Sequence, residues 1–212
     1  RSDRGGAGAA RTGARAGERA GGGMAMLEAP VSGGAAGAGA ATLSIMVGGA
    51  DAVVAPWLDM LATMAGNVFR TGKVGSGHAV KTLNNLLSGL NTVAAAETLM
   101  IGKRFGLDPA IIVDVLNEST GMNSATRRTM KQQVLTRKFG GGFAFDLKFK
   151  DYEIARKLAS ETRTPIPLSA LWFEFYEAAR GFLEPGCSAT AIVRWMEHVA
   201  GTELTSEPNE DA

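Results

Sequence analysis

Cysteine and histidine are scarce in this chain: there is one cysteine, Cys187, and there are two histidines, His78 and His198. A single cysteine excludes an internal disulfide and any multi-cysteine metal site, and two histidines are too few for a histidine-based zinc centre. Long apolar runs are also missing. No stretch approaches the roughly 20 residues that a membrane span needs. Excess charge is missing too: the net charge is +1, so no global field draws the chain to nucleic acid or to an acidic membrane. The first residues are rich in Arg and Gly, without the apolar segment of a signal peptide. Together these absences lead us to expect a soluble protein in a reducing, cytoplasmic setting, with no metal, nucleic-acid or membrane partner. What is present is a 212-residue chain with 45% hydrophobic content, enough for the core of one or two domains.

Residues 1–23 differ from the rest. They are nearly all Gly, Ala and Arg, with no large apolar side chain before Met24. Such a segment buries too little surface to offset its ordering entropy, so it reads as a disordered or irregular arm. A basic arm touching nucleic acid and an out-of-frame translation are the other readings; the first lacks interleaved aromatics. Gly6-Ala7-Gly8 is followed by Ala9, Ala10 and Arg11, which fails the GxGxxG dinucleotide pattern.

From Met24 the composition becomes that of an ordered protein. Residues 24–29 read as a strand that runs into Pro30-Val31-Ser32-Gly33-Gly34. Pro30 blocks helix, while the paired glycines let a backbone approach a ligand closely. Exposed amides with the Ser32 hydroxyl suit a carboxylate, although a plain strand-to-loop exit gives the same residues. Residues 35–41 read as a loose connector and residues 42–47 as a second strand. Residues 51–65 read as a helix with Asp51 as N-cap and Val54, Leu58 and Leu61 inward, and residues 67–70 as a further strand. This β-β-α-β piece is too small for a complete doubly wound domain.

The central stretch is Lys73-Val74-Gly75-Ser76-Gly77-His78-Ala79-Val80-Lys81-Thr82-Leu83-Asn84-Asn85. Gly75 and Gly77 mark the mouth of a helix that continues to about Phe105. Val80, Leu83, Leu87, Leu90, Ala94 and Ile101 form one apolar face, and Lys81, Asn85, Ser88 and Thr92 form a polar strip. Lys81 and Asn85 are neighbours one turn apart. Lys81 has two readings, a solvated surface lysine or a buried amine whose pKa falls from about 10.4 towards about 7–8, where it moves protons. The residues alone leave both open.

Beyond that helix the pattern is helical throughout. Asp108 and Pro109 open a helix with Ile111, Ile112, Val115 and Leu116 inward. Residues 119–124 read as a loop, and residues 125–136 as a basic helix with a solvated face. Residues 140–142 read as a hinge, and residues 143–162 lead into and form a helix. Pro165 and Pro167 begin a helix with Leu171, Phe175 and Ala178 inward. A last helix covers residues 188–199, and residues 202–212 read as a frayed acidic tail.

Three motifs stand in order: Glu28-Ala29-Pro30-Val31-Ser32-Gly33-Gly34; Gly75-x-Gly77-x-x-x-Lys81-x-x-Asn84-Asn85; and residues 143–151, ending in Lys150-Asp151. In this order the chain, over residues 26–199, resembles the β-hydroxyacid dehydrogenase family, the 3-hydroxyisobutyrate dehydrogenase-like oxidoreductases. The resemblance implies a mainly α fold: an all-helical, 6-phosphogluconate-dehydrogenase-like C-terminal domain preceded by an α/β remnant of a Rossmann domain. It implies Lys81 and Asn85 as catalytic residues, with Asn85 also orienting the substrate. Ser32, Gly33 and Gly34 would hold the substrate carboxylate. Lys150, Asp151 and Phe143 would lie on the side of the cofactor, NAD or NADP. A homodimer or homotetramer is implied as well.

Departures accompany the resemblance. The family's glycine-rich cofactor fingerprint is not recognisable, and the Gly/Ala/Arg arm stands in its place. The expected organisation is an arm over residues 1–23, an α/β remnant over 24–74, a helical catalytic and dimerisation domain over 75–201, and a tail over 202–212. The implied activity is hydride transfer between NAD(P) and a small 3-hydroxy acid. The alternative is an inactive helical dimerisation module.

Overall fold

The structure is a computed structural model that describes residues 25–141 and 143–205. The Gly/Ala/Arg arm of residues 1–23 and residues 206–212 of the tail lie outside the described residues. The described residues divide into two compact units, one holding those up to Asn85 together with Lys150–Ile166, the other holding those from Leu86 to Phe149 and those from Pro167 on. The expected architecture, mainly helical with a small α/β piece, is observed.

The α/β elements begin with strand β1 (Val31–Ser32), helix α1 (Gly34–Gly39) and strand β2 (Leu43–Gly48). Helix α2 (Asp51–Val54), a 3₁₀ turn (Ala55–Trp57), helix α3 (Leu58–Ala62) and strand β3 (Ala65–Gly72) follow. The sheet order is β1-β2-β3. β1 is antiparallel to β2, and β2 is parallel to β3. A parallel pair needs a crossover, which the two short helices supply. The core of this unit is Leu43, Ile45 and Val47 on β2 with Val54 and Leu61 from the crossover. Full burial of side chains of this size is worth about 1.5–3 kcal/mol each.

Several expectations are corrected here. The first strand lies at Val31–Ser32 rather than over the expected residues 24–29; among the described residues of that range, Glu28 alone forms a bridge, to Gly48. The connector of residues 35–41 is mostly helix, because its alanines carry the best helix propensity and the Gly33 turn starts it. Ala41, at φ 52°, ends it. The helix expected over residues 51–65 is interrupted by the turn carrying Pro56, whose missing N–H breaks the ladder. Its N-cap is Ala50, and Asp51 instead pairs with Arg70 at 2.7 Å. Val54 and Leu61 are buried as expected.

Helix α4 (Ser76–Arg104) is the longest element; its residues to Asn85 belong to the first unit and the remainder to the second. Helix α5 (Pro109–Asn117) has Asp108 as N-cap, the side chain accepting from Ala110 N at 2.8 Å, with Pro109 at the first helical position, as the sequence indicates. Its buried face differs from expectation. Pro109 and Val113 are buried, whereas Ile111 and Val115 face outward at 63% and 59% exposure. Gly102 on α4 explains the orientation: a Cβ there would overlap Ile112 Cδ1, so α5 packs through Ile112 against a glycine notch.

A π-helix (Ala125–Val134) follows; Arg127 and Arg128 are exposed and Lys131 pairs with Asp114, in keeping with a solvated basic face. Helices α6 (Phe145–Glu161), α7 (Pro167–Phe182) and α8 (Ile192–Ala200) complete the chain, a 3₁₀ turn (Ala189–Ala191) leading into α8. On α7 the inward residues are Trp172, Phe173, Tyr176 and Ala179, while Leu171 and Ala178 are exposed. The stripe is rotated from the expected one because the aromatic rings bury the larger area. Tyr176 stacks on Phe145 with centroids 4.2 Å apart, and Trp172 tilts against it at 4.7 Å. The start of the expected tail is docked. Leu204 is fully buried, its amide donates to Glu197 Oε1 at 2.7 Å, and Lys103 Nζ donates to Thr205 Oγ1 at 2.5 Å.

Candidate active site

The mouth of α4 is built by close approach. Gly75 adopts φ 100°, a conformation that side chains resist, and turns the chain into the helix. Ser76 Oγ donates to the Lys73 carbonyl at 2.7 Å. Gly77 lies so near β2 that a Cβ would overlap the Met46 carbonyl oxygen and stand 3.2 Å from Pro30 Cδ. Only glycine fits there, which is the physical content of the second glycine of the motif.

One turn on, Lys81 is half-buried. Burial has the larger effect on its amine and pushes its pKa below 10.5, while the nearby Asp151 carboxylate works in the opposite direction. The amine therefore gives up its proton more readily than a solvated lysine. Asn85, one further turn along, is 7% exposed. Its Nδ2 donates to Asp151 Oδ2 at 2.6 Å, and its Oδ1 accepts from Asn84 Nδ2 at 3.3 Å. Lys81, Asn85 and Asp151 thus form one cluster inside the first unit, contributed by α4 and α6. Chemically it is an amine of lowered pKa beside a fixed amide and a carboxylate, which suits proton transfer.

The other sequence-selected residues are placed as follows. Ser32 pairs with Ser44 at the end of β1. Gly33 and Gly34 turn with φ 135° and 62°; a Cβ at Gly33 would press on Leu43 Cδ2 at 3.0 Å, while the space beside Gly34 is open. No side chain caps the helix that starts there. Lys150, half-buried, precedes Asp151 on α6 in the same unit. Phe143 belongs to the second unit, where its exposed ring lies 5.6 Å beneath Lys148 Nζ. At the carboxyl ends of β2 and β3 a cleft of about 730 Å³ opens between Gly49, Asp51, Arg70 and Lys73. Arg70 is engaged there by Asp51 and by the Gly49 carbonyl at 3.0 Å.

Sequence reasoning missed Glu28 and His78. The Glu28 side chain is 2% exposed, accepts from Gly77 N at 2.8 Å through Oε1, and meets His78 Nδ1 through Oε2. Burial works to raise its pKa, but the His78 contact and charge with the Gly77 and Gly75 amides together bring it below the ordinary carboxylate value. An acid between Leu27 and Ala29, on a segment read as strand, was the available signal.

Two family models match this chain. One, described as the NAD-binding of NADP-dependent 3-hydroxyisobutyrate dehydrogenase, covers residues 75–196, more than half of the chain. The other, the NAD binding domain of 6-phosphogluconate dehydrogenase, covers residues 3–72. The arm, expected to lie outside the resemblance, falls largely inside the second match. A 2-(hydroxymethyl)glutarate dehydrogenase of Eubacterium barkeri is 33% identical over 183 residues, 86% of this chain and 61% of the relative. A 3-hydroxyisobutyrate dehydrogenase of Pseudomonas aeruginosa is 37% identical over 155 residues, 70% of this chain and 52% of the relative. The solved 3-hydroxyisobutyrate dehydrogenase of Mycobacterium tuberculosis with L-serine superposes with a TM-score of 0.79 at 28% identity, covering 89% of this chain and 67% of that one. The chain spans little more than half the length of the curated relatives it matches. Matched by both models and carrying Lys81, Asn85 and Asp151 in one cluster, the chain belongs to the β-hydroxyacid dehydrogenase family, the 3-hydroxyisobutyrate dehydrogenase-like proteins.

Proposed function

We propose that the chain is the catalytic part of an NAD(P)-dependent oxidoreductase that transfers hydride between the nicotinamide cofactor and a small 3-hydroxy acid. The observation that carries this reading is the Lys81–Asn85–Asp151 cluster, with the lysine held at a lowered pKa. A bound dinucleotide would supply the hydride acceptor or donor. The side chain that suits such an anionic group is Lys150, half-buried and next to Asp151 in the same unit; Phe143 enters this reading through the resemblance alone. Ser32, Gly33 and Gly34 are assigned to the substrate carboxylate, through backbone amides and the Ser32 hydroxyl.

During oxidation neutral Lys81 Nζ takes the substrate hydroxyl proton as the carbon–hydrogen bond gives up its hydride; during reduction the ammonium returns that proton. Asn85 orients the reacting oxygen, and its amide is itself fixed by Asp151. Asp151 also holds the lysine's pKa from falling further. The relatives' names, for 3-hydroxyisobutyrate and 2-(hydroxymethyl)glutarate, support a hydroxy acid as substrate.

A homodimer or homotetramer belongs to this reading. On the part of α4 in the second unit, Leu87 and Ile101 lie two heptads apart and are 59% and 67% exposed, an apolar strip that a second helix would cover. The cytoplasm is the proposed location; no helix among the described residues is long and apolar enough to cross a membrane. The test is calorimetry with NADH and NADPH, followed by turnover of the full-length protein with 3-hydroxyisobutyrate and related small hydroxy acids. Cofactor reduction by one of them is expected. Failure with every small 3-hydroxy acid, and with the corresponding semialdehydes in reverse, would end the proposal; a folded dimer without cofactor binding would favour the inactive module.

A further inference from the structure

We infer that Glu28 is a positioning residue for Lys81: fixed on the end of β2, its carboxylate clamps two consecutive residues of the first turn of α4 and so sets the rotation at which that helix presents its lysine. The inference rests on the catalytic reading of Lys81.

The backbone of Glu28 is locked first. Its amide donates to the Gly48 carbonyl at 2.9 Å, and its carbonyl accepts from Gly48 N at 3.0 Å. The side chain then crosses to α4, where Oε1 accepts from Gly77 N and Oε2 meets the His78 ring. Two neighbouring attachment points on a helix fix both its axial position and its rotation, which a single cap does not. An α-helix turns about 100° per residue, so fixing Gly77 and His78 fixes Lys81, four and three residues on, and Asn85 at the seventh residue from His78. Glycines make room for the clamp. A Cβ at Gly48 would stand 2.5 Å from Glu28 Oε1, and a Cβ at Gly77 would stand 3.3 Å from the same oxygen. Glu28 also lies in the segment that continues into Pro30, whose carbonyl accepts from Met46 N at 2.9 Å, and on to Ser32. One residue therefore ties the segment assigned to the carboxylate to the helix assigned to the proton.

The clamp depends on geometry more than on charge, and this separates it from a merely stabilising ion pair. An ionised carboxylate only accepts, so His78 Nδ1 presents its proton to Glu28. In Glu28→Gln the amide oxygen can still accept from Gly77 N, and the amide NH₂ can donate to Nδ1 once the imidazole carries its proton on Nε2. Both attachments survive without the charge. In Glu28→Leu neither survives, while the volume is nearly kept.

The experiment measures kcat and KM separately for 3-hydroxyisobutyrate and for the nicotinamide cofactor in the full-length protein. Glu28→Leu is expected to lower kcat on the order of 10²-fold, the cost of displacing a reacting group by about 1 Å, with the cofactor KM changed less than about threefold. Glu28→Gln is expected to recover to within about fivefold of the native kcat. If Glu28→Leu does not fold, His78→Leu removes one attachment at a half-exposed ring and is expected to lower kcat about tenfold. The inference is overturned by native turnover in folded Glu28→Leu or His78→Leu. It is equally overturned by Glu28→Gln as poor as Glu28→Leu, or by a cofactor KM that rises as far as kcat falls. Lys81→Ala runs alongside: if it keeps native turnover, the catalytic reading falls and this inference with it, whereas an inactive Lys81→Ala beside a fully active Glu28→Leu removes only the inference.

Discussion

Two sides of α4 each depart in part from the usual rule. Along one face Val80, Leu83, Leu87 and Ile101 are exposed. Elsewhere on the same helix Thr82, Asn85 and Lys103 are buried along with Ala96, Leu99 and Met100. Leu and Val inside with Lys and Asn outside is the ordinary arrangement. A buried polar group persists only where it has partners, and Asn85 has Asp151 and Asn84. An apolar seam persists in water at a cost that another surface removes. The comparison teaches that amphipathicity locates two faces but not which of them is inside. On this helix buried Asn85 is read as chemistry and the exposed apolar residues as assembly.

The largest expected effect breaks the polar face. Lys81→Ala should lower turnover by about 10²–10⁴-fold, the range for losing a positioned acid–base group, while far-ultraviolet circular dichroism remains native. Large loss of stability with normal turnover would make Lys81 a structural residue.

Next comes the apolar face. Leu87→Glu with Ile101→Glu puts two charges on each copy of the seam, so like charges would face each other across it. We expect the dimer dissociation constant to rise at least tenfold in sedimentation equilibrium, with each chain still folded. An unchanged oligomer would remove the seam from assembly.

Asp151→Asn sharpens the polar face. The Asp151 carboxylate raises the Lys81 pKa against the larger lowering by burial, so removing the charge lets that pKa fall further. Oxidation needs the neutral amine, so the acid limb of the kcat profile should move to lower pH. A limb that moves up or stays would mean that the titrating group is not Lys81.

The smallest effect concerns stability. Because the folded-state pKa of Lys81 lies below its unfolded value, the unfolded chain binds more protons between the two, and holding the ammonium inside costs the native state stability. That cost is fully present below the folded pKa and is relieved as pH rises through it. Lys81→Met should therefore raise Tm modestly at pH 7, and the gain should shrink in alkali. A lower Tm at pH 7 would mean that the Asp151 attraction outweighs burial.

Much of the site was legible before the structure because it is local. Gly75 immediately precedes one helix and Gly77, Lys81 and Asn85 lie within its first three turns, and helical geometry alone makes the lysine and asparagine neighbours. The Asp108–Pro109 helix start was legible for the same reason, since caps are written in adjacent residues. Residues 35–41 were misread because glycine obscured the helix propensity of the alanines around it. Ile111, Val115 and Leu171 were misassigned to the interior because a helix with apolar residues on more than one side does not state its own rotation.

By itself the sequence determined the predominance of helix beyond Gly77, the one-turn spacing of Lys81 and Asn85, and the order of motifs that marks the family. Only the tertiary structure decided that Asp151, 66 residues from Asn85, closes the cluster, and that Glu28, 49 residues from Gly77, holds the helix mouth. The reason is range. Backbone hydrogen bonds and caps act within a turn and follow from neighbouring residue types. A carboxylate's partner, and with it the pKa of a buried amine, depends on which distant segments the burial of Ile45, Val47 and Val54 brings together.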